Sequence, residues 1–70
     1  MNLQHFLTSR EREIFLMLVD KNDTLSIAEK LNISEKTVRN HISNVIQKLG
    51  VKGRSQAILE LIKIGELTIE

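Results

Sequence analysis

Residues 24–50 read TLSIAEKLNISEKTVRNHISNVIQKLG, two segments of helical periodicity joined by Asn32, Ile33 and Ser34. A connection this short prevents the helices from lying antiparallel, so they must cross steeply, and Ala28 is small enough to let the backbones approach. Asn32 tolerates the left-handed conformation that ends a helix, and Ser34 can cap the next one. An ordinary pair of packed helices would need the periodicity but no particular turn. The stretch therefore predicts a helix-turn-helix.

Start and stop signals along the chain predict four helices in all. Thr8 and Glu11 form a capping box before the first helix. Asn22 is a candidate left-handed residue in the turn that follows, and Thr24 can cap the second helix. Gly50 can end the third. We expect a single all-α domain over residues 1–70, with helices at about 9–20, 24–31, 35–49 and 54–64.

The composition excludes several classes of protein. The chain has no cysteine, which excludes disulfides and cysteine-ligated zinc, and its two histidines, His5 and His41, are too far apart to form a metal-binding pair. It has no Gly-rich phosphate loop and no serine with a neighbouring base, so we expect neither an enzyme nor a cofactor. No run approaches the roughly 20 apolar residues of a membrane span, and residues 1–8 do not form a secretory signal. We expect a cytoplasmic protein without a metal or a membrane partner.

The net charge of +1 conceals an uneven distribution. Residues 30–54 contain six basic residues and one acidic residue, whereas residues 1–29 contain three basic and five acidic residues. Residues 55–70 contain one basic and three acidic residues. A basic middle between acidic ends can attract a polyanion, although a run of charge usually means only a solvated surface. Charge alone leaves nucleic-acid binding open.

The third predicted helix favours DNA binding by what it exposes. At about 100° per residue, Val38, Ile42 and Val45 share one apolar face. The opposite face is polar and contains Asn and Ser, which are poor helix formers and need another reason to be there. Arg, Asn, Gln and Ser are the side chains that bind base edges in the major groove. We predict base contacts from Arg39, Asn40 and Ser43, and contacts to phosphates or other DNA groups from Lys36, Thr37, Asn44, Gln47, Lys48, Lys52 and Arg54.

The fourth predicted helix has two apolar faces. One, with Ala57, Leu61 and Ile64, is expected to pack in the core. A second apolar face in so small a chain typically marks an interaction surface, and we predict a homodimer contact through Ile58, Leu59 and Ile62. In the alternative, this face is covered by apolar residues near the chain ends, namely Leu3, Phe6, Leu67 and Ile69.

A set of short motifs spread over residues 7–64 resembles the LuxR-type helix-turn-helix family, and most closely a small free-standing sporulation regulator within it. The resemblance implies a homodimeric transcription factor that activates or represses promoters late in sporulation, in the mother cell. It implies double-stranded DNA, a second copy of the chain and RNA polymerase as candidate partners. It also places base contacts on Arg39, Asn40 and Ser43, backbone contacts on Thr37 and Lys48, and dimer contacts on Ile58, Leu59 and Ile62. The motifs are LT at 7–8, REREI at 10–14, IA at 27–28, IS at 33–34, TVR at 37–39, KLGV at 48–51 and RS at 54–55, together with Leu31, His41 and Ala57.

The chain departs from the family pattern at Leu25 and Ser26, where relatives usually have Lys-Glu. Any phosphate contact at this place is left to the Ser26 hydroxyl. Most relatives also carry a receiver or ligand-binding domain before the position of Leu7, and with six residues there we expect neither, and no small-molecule ligand. Two other interpretations stay open: a sigma-factor-like promoter-reading domain, and a protein-interaction module that uses the fourth helix and has no DNA target.

Overall fold

The computed structural model describes residues 6–68, which form four helices and, within that range, no strand. The predicted all-α fold is confirmed. The second and third helices have the predicted bounds, and the first and fourth each end one residue earlier than predicted. The helices are α1 (Ser9–Val19), α2 (Thr24–Leu31), α3 (Glu35–Leu49) and α4 (Arg54–Lys63).

α1 begins with the predicted capping box. Thr8 Oγ1 accepts a hydrogen bond from the Glu11 N–H at 3.1 Å, and Glu11 Oε1 accepts one from the Thr8 N–H at 3.0 Å. Two backbone donors that the helix cannot satisfy internally thereby find partners. The same bonds hold the Glu11 side chain against the protein, where the residue is only 4% exposed.

The turn after α1 differs from the prediction. Lys21, and not Asn22, has the left-handed conformation, with φ of 66°. Asn22 instead donates hydrogen bonds from both its backbone N–H and its side-chain amide to the Met17 carbonyl, each at 3.0 Å. These two bonds hold Asn22 against the end of α1, and the positive φ therefore falls on Lys21, one residue before it.

The residue that caps α2 is Asp23, and the prediction of Thr24 was wrong. The Asp23 carboxylate accepts a hydrogen bond from the Ser26 N–H at 2.8 Å. Because this acceptor already satisfies a free donor of the first turn, Thr24 is the first helical residue and its hydroxyl is released for another contact. That hydroxyl donates to Glu35, at the beginning of α3.

The turn between α2 and α3 has the predicted conformation. Asn32 is left-handed, with φ of 58° and ψ of 46°, and the Ile33 N–H donates to the Ala28 carbonyl at 3.0 Å. Ser34 then caps α3 by accepting a hydrogen bond from the Thr37 N–H at 3.0 Å. The two helices are thus joined as a helix-turn-helix.

The core lies between the four helices and is almost wholly aliphatic, with Phe15 as its aromatic member. α3 packs against each of the other three helices, so its apolar face is fixed in the centre of the molecule. The buried apolar residues are Leu7, Ile14, Phe15, Ile27, Ala28, Val38, Ile42, Val45, Ala57, Leu61 and Leu67.

The segment after α4 corrects the predicted core. Ile64 is 48% exposed, whereas Leu67 is 3% exposed and joins the core. The helix ends at Lys63 and the chain turns at Gly65, where φ is 82°. The Leu67 N–H then donates to the Leu61 carbonyl at 3.2 Å. Helical periodicity no longer governs Ile64, because it lies beyond the last helical residue.

Candidate nucleic-acid interface

One side of α3 is buried and the other is polar. Val38, Ile42 and Val45 have between 0% and 2% of their surface exposed, which fixes the rotation of the helix about its own axis. The six polar residues opposite them are all exposed. We call this surface the α3 polar face, and it consists of Lys36, Arg39, Asn40, Ser43, Asn44 and Gln47.

The residues predicted to contact bases lie within this surface. At about 100° per residue, Asn40 and Ser43 belong to its central row, and Arg39 lies at one edge. All three side chains point away from the core, as contact with a base edge requires. The structure thus brings the three together on one exposed strip of the helix.

Arg39 has an ion-pair partner that the sequence reasoning missed. Its Nη1 lies 2.9 Å from Oε2 of Glu35, one turn earlier in α3. The same Oε2 accepts a hydrogen bond from Thr24 Oγ1 at 2.6 Å. The spacing of four residues between Glu35 and Arg39 is a signal that could have revealed the pair, but nothing in the sequence indicates the bond from α2.

The two hydroxyl groups predicted to bind phosphates already have partners. Thr37 Oγ1 is 2.8 Å from Ser34 Oγ, at the capping position of α3. Ser26 Oγ donates to Asn22 Oδ1 at 3.3 Å. Because an amide oxygen accepts from it, a phosphate contact by the Ser26 hydroxyl would require the bond to Asn22 to be exchanged.

The ammonium group of Lys48 already has partners within the protein. Nζ donates to Glu11 Oε1 at 2.8 Å and to the Phe6 carbonyl at 3.3 Å, and it lies 5.4 Å from the centre of the Phe6 ring. An ammonium group has three donors, so one is left for a phosphate. The predicted contact from Lys48 would therefore come from a charge that Glu11 already balances.

The partner of Lys48 is ionised. Burial raises the pKa of Glu11, but the hydrogen bonds from Lys48 and Thr8 outweigh it and hold the pKa below its ordinary value. The carboxylate therefore keeps its negative charge near neutral pH. The separation of 37 residues between Glu11 and Lys48 explains why sequence reasoning missed this pair.

Two basic residues follow the end of α3 and remain open to solvent. Lys52 and Arg54 are exposed, and neither forms an ion pair with any residue between 6 and 68. The loop that carries them is held by a bond of 2.9 Å from the Lys52 N–H to Gln56 Oε1. This part of the surface is positively charged without a balancing carboxylate in the described range.

The predicted dimer residues of α4 are mostly exposed. Leu59 is 68% exposed and Ile62 is 37% exposed, whereas Ile58 is half-buried and packs against the core. Leu67 folds back as the alternative required, yet it enters the core and leaves Leu59 and Ile62 uncovered. Phe6 is itself 36% exposed, and Leu3 and Ile69 lie outside the described residues.

We also searched residues 6–68 for a metal site and for a membrane-spanning helix. Over residues 6–68, no three His, Cys, Asp or Glu side chains are grouped so that they could hold a metal ion. His41 is half-buried beside the core, and His5 lies outside the described residues. No helix in this part of the chain has the length and apolar character needed to cross a membrane.

The crossed helix pair and the exposed polar face of its second helix define the class of helix-turn-helix DNA-binding proteins. The model of the family described as bacterial regulatory proteins, luxR family, matches residues 5–61. The chain belongs to this family, as its short motifs predicted.

Individual relatives agree with this assignment. Spore germination protein GerE of Bacillus subtilis (strain 168) is 65% identical over 63 residues, covering 90% of this chain and 85% of GerE. The solved structure of the transcription factor GerE matches with a TM-score of 0.92 and 64% identity, covering 96% of this chain and all of that one. The transcriptional regulatory protein DegU of Brevibacillus brevis is 49% identical over 61 residues, covering 87% of this chain but only 26% of DegU.

A more distant match is a solved complex with DNA. The crystal structure of a Vibrio cholera VqmA-ligand-DNA complex matches all of this chain and 31% of that one, with a TM-score of 0.80 and 26% identity. The matched relatives of known role are regulators of transcription and not enzymes. The chain is thus a GerE-like, DNA-binding transcriptional regulator.

Proposed function

We propose that this protein binds specific sequences of double-stranded DNA as a homodimer, with α3 in the major groove. The observation that carries the proposal is the α3 polar face, which is exposed along its length while the opposite side of the helix is locked in the core. The major groove is about 12 Å wide and admits an α-helix. A helix fixed in this way presents the same polar side chains to every duplex.

The base contacts come from three side chains with complementary chemistry. The Arg39 guanidinium suits guanine, because it can donate two hydrogen bonds to O6 and N7. The Asn40 amide suits adenine in the same manner, and the Ser43 hydroxyl can bind several base edges. Their exposed positions on one strip of α3 support these roles.

The remaining polar residues hold the DNA backbone. Lys36 and Thr37 lie near the beginning of α3, and Lys52 and Arg54 lie beyond its end, so the two groups are placed for phosphates on either side of the groove. The exposure of Lys52 and Arg54, without an ion pair among residues 6–68, supports this assignment. Weaker contacts are assigned to Ser26, Asn44, Gln47 and Lys48.

The homodimer forms through α4. Leu59 and Ile62 expose apolar surface that the protein does not cover, and Ile58 continues it towards the core. A twofold contact made by this surface presents two copies of α3 about 34 Å apart, which is one turn of DNA. Two linked contacts also raise a modest affinity of each half for its site.

The biological role is the control of sporulation genes, by activation, repression or both. It rests on the likeness to a protein named for spore germination and described as a transcription factor. RNA polymerase is the further partner that such a role requires, and the mother cell is the compartment that it implies. The presence of DNA in the VqmA structure supports the binding mode, since this fold is shared.

Selection of bound sequences from random duplexes tests the proposal. We expect a symmetric site with two half-sites, and we expect Arg39→Ala to abolish the preference at one position of each. Arg10→Ala is the matched control, because Arg10 is a similarly exposed arginine on α1 that pairs with Glu13. Binding without sequence preference, or a preference unchanged by Arg39→Ala, would overturn the assignment. Absence of DNA binding would favour the protein-interaction module.

A further inference from the structure

One carboxylate connects both helices of the helix-turn-helix to the predicted base-contacting arginine. Glu35 is the first residue of α3, and its Oε2 accepts a hydrogen bond of 2.6 Å from Thr24 Oγ1 at the beginning of α2. The same oxygen lies 2.9 Å from Arg39 Nη1. Glu35 is therefore fixed by one neighbour and in turn holds the other.

The anchor to α2 distinguishes this pair from an ordinary surface ion pair. An exposed pair four residues apart is weak, because both side chains lose freedom when they meet. Here the Glu35 side chain is 35% exposed and is restrained by Thr24, so less freedom is lost when Arg39 binds it. The other exposed pair along a helix, Arg10 with Glu13 at 3.5 Å, is longer and has no third partner among the hydrogen bonds of residues 6–68.

The contact leaves Arg39 able to bind a base. A guanidinium group has five N–H donors, and Nη1 uses one of them on Glu35. The Arg39 side chain is 53% exposed, so its other donors remain accessible. A guanidinium held at one edge presents its remaining donors in one orientation, which is what paired hydrogen bonds to a single base require.

We infer that Glu35 is a specificity-determining residue of the DNA interface, which positions the Arg39 guanidinium for one base with Thr24 as its anchor. The inference rests on the proposed function, since it presumes that Arg39 contacts a base. It implies two opposite effects when Glu35 is lost. Base preference weakens because Arg39 is free to reorient, while affinity for unrelated DNA rises because a negative charge next to a polyanion is removed.

The test compares base preferences selected from random duplexes by the wild type, Glu35→Ala, Thr24→Val and Arg39→Ala. Thr24→Val leaves every charge in place and removes only the anchor. We expect Glu35→Ala and Thr24→Val each to lower discrimination at the position that Arg39→Ala affects, by about three- to tenfold. In the Arg39→Ala background neither change should alter base preference further. Glu13→Ala, which removes the same charge from α1, should leave the preference unchanged.

The outcomes separate the inference from the proposed function. If Arg39→Ala abolishes a preference that Glu35→Ala and Thr24→Val both retain, the positioning role is wrong and the proposed function stands. If Glu35→Ala changes affinity for all duplexes equally, Glu35 acts only through its charge, and the inference also fails. If Arg39→Ala retains the wild-type preference, Arg39 does not contact a base and the proposed function is wrong on this point. Circular dichroism checks folding, and Glu35→Gln takes the place of Glu35→Ala if that variant does not fold.

Discussion

Lys48, near the end of α3, donates a hydrogen bond of 2.8 Å from Nζ to Oε1 of Glu11, in the first turn of α1. Glu11 is 4% exposed and is the buried charged residue of the described core. Its Oε1 also accepts from the Thr8 N–H, so one oxygen joins the cap of α1 to the end of α3. The pair therefore positions α3 relative to α1 and also balances part of the positive charge of α3.

Loss of Glu11 is expected to destabilise the fold. Glu11→Ala removes the carboxylate half of the capping box and the partner of Lys48, and we expect the free energy of unfolding to fall by about 2 to 3 kcal/mol. Urea unfolding followed by circular dichroism measures this change. Glu13→Ala, on the exposed face of α1, should cost no more than about 0.5 kcal/mol. Equal losses for the two variants would contradict a structural role for the buried pair.

Acid is expected to destabilise the protein through Glu11 and Glu66. Burial raises the pKa of Glu66, but hydrogen bonds from the Phe6 and Leu7 N–H groups and from Arg12 outweigh it, so its pKa lies below the ordinary value, as does that of Glu11. A carboxyl group whose pKa is lower in the folded state contributes stability above its unfolded pKa of about 4.3. That contribution disappears as the pH falls through the folded pKa.

Unfolding measurements between pH 7 and pH 3 check this dependence. The free energy of unfolding should be nearly constant above about pH 5 and should fall below it. Glu66→Gln should lower stability at pH 7 and should flatten the acid-dependent part of the curve. Glu13→Gln is the control and should leave the curve unchanged in shape. A wild-type stability that rises between pH 5 and pH 3 would contradict the expected sign.

Arg54, which has no ion pair among residues 6–68, and Lys48, which is paired with Glu11, should contribute differently to the salt dependence of DNA binding. Arg54→Ala should weaken binding to all duplexes alike and should reduce the slope of log affinity against log salt by about 1. Lys48→Ala should reduce that slope less, because Glu11 already balances the ammonium charge, and it should also lower stability. Titration of a fixed duplex at several salt concentrations measures both slopes. Equal slopes for the two variants would show that Lys48 leaves Glu11 when DNA binds.

The helices and the turn could be predicted from the sequence because their signals are local. Asn32 and Gly50 are left-handed where the pattern required it, and Ser34 caps α3 as predicted. Contacts between distant segments could not be predicted. The bond between Lys48 and Glu11 depends on how α1 and α3 pack, and no short-range pattern records it.

The same limit applies to the predicted interface. The exposed face of α3 follows from periodicity, so the placement of its six polar residues could be predicted, but the anchor that Thr24 gives to Glu35 could not. The exposure of Ile64 was also missed, because the helical pattern continues in the sequence past the residue where α4 ends.

A charge placed on the proposed dimer surface of α4 is expected to prevent dimerisation. Ile62 is 37% exposed, so Ile62→Asp should leave the core intact. At a twofold contact the new carboxylate would be buried close to the same carboxylate of the second copy, so we expect a folded monomer. Sedimentation equilibrium measures the association, and titration of a two-half-site duplex should show weaker binding than for the wild type. Leu25→Asp is the matched control, since Leu25 is a 54% exposed apolar residue on α2, and it should leave the dimer unchanged. A wild-type protein that stays monomeric at high concentration, with and without DNA, would overturn the assignment of α4 as the dimer surface.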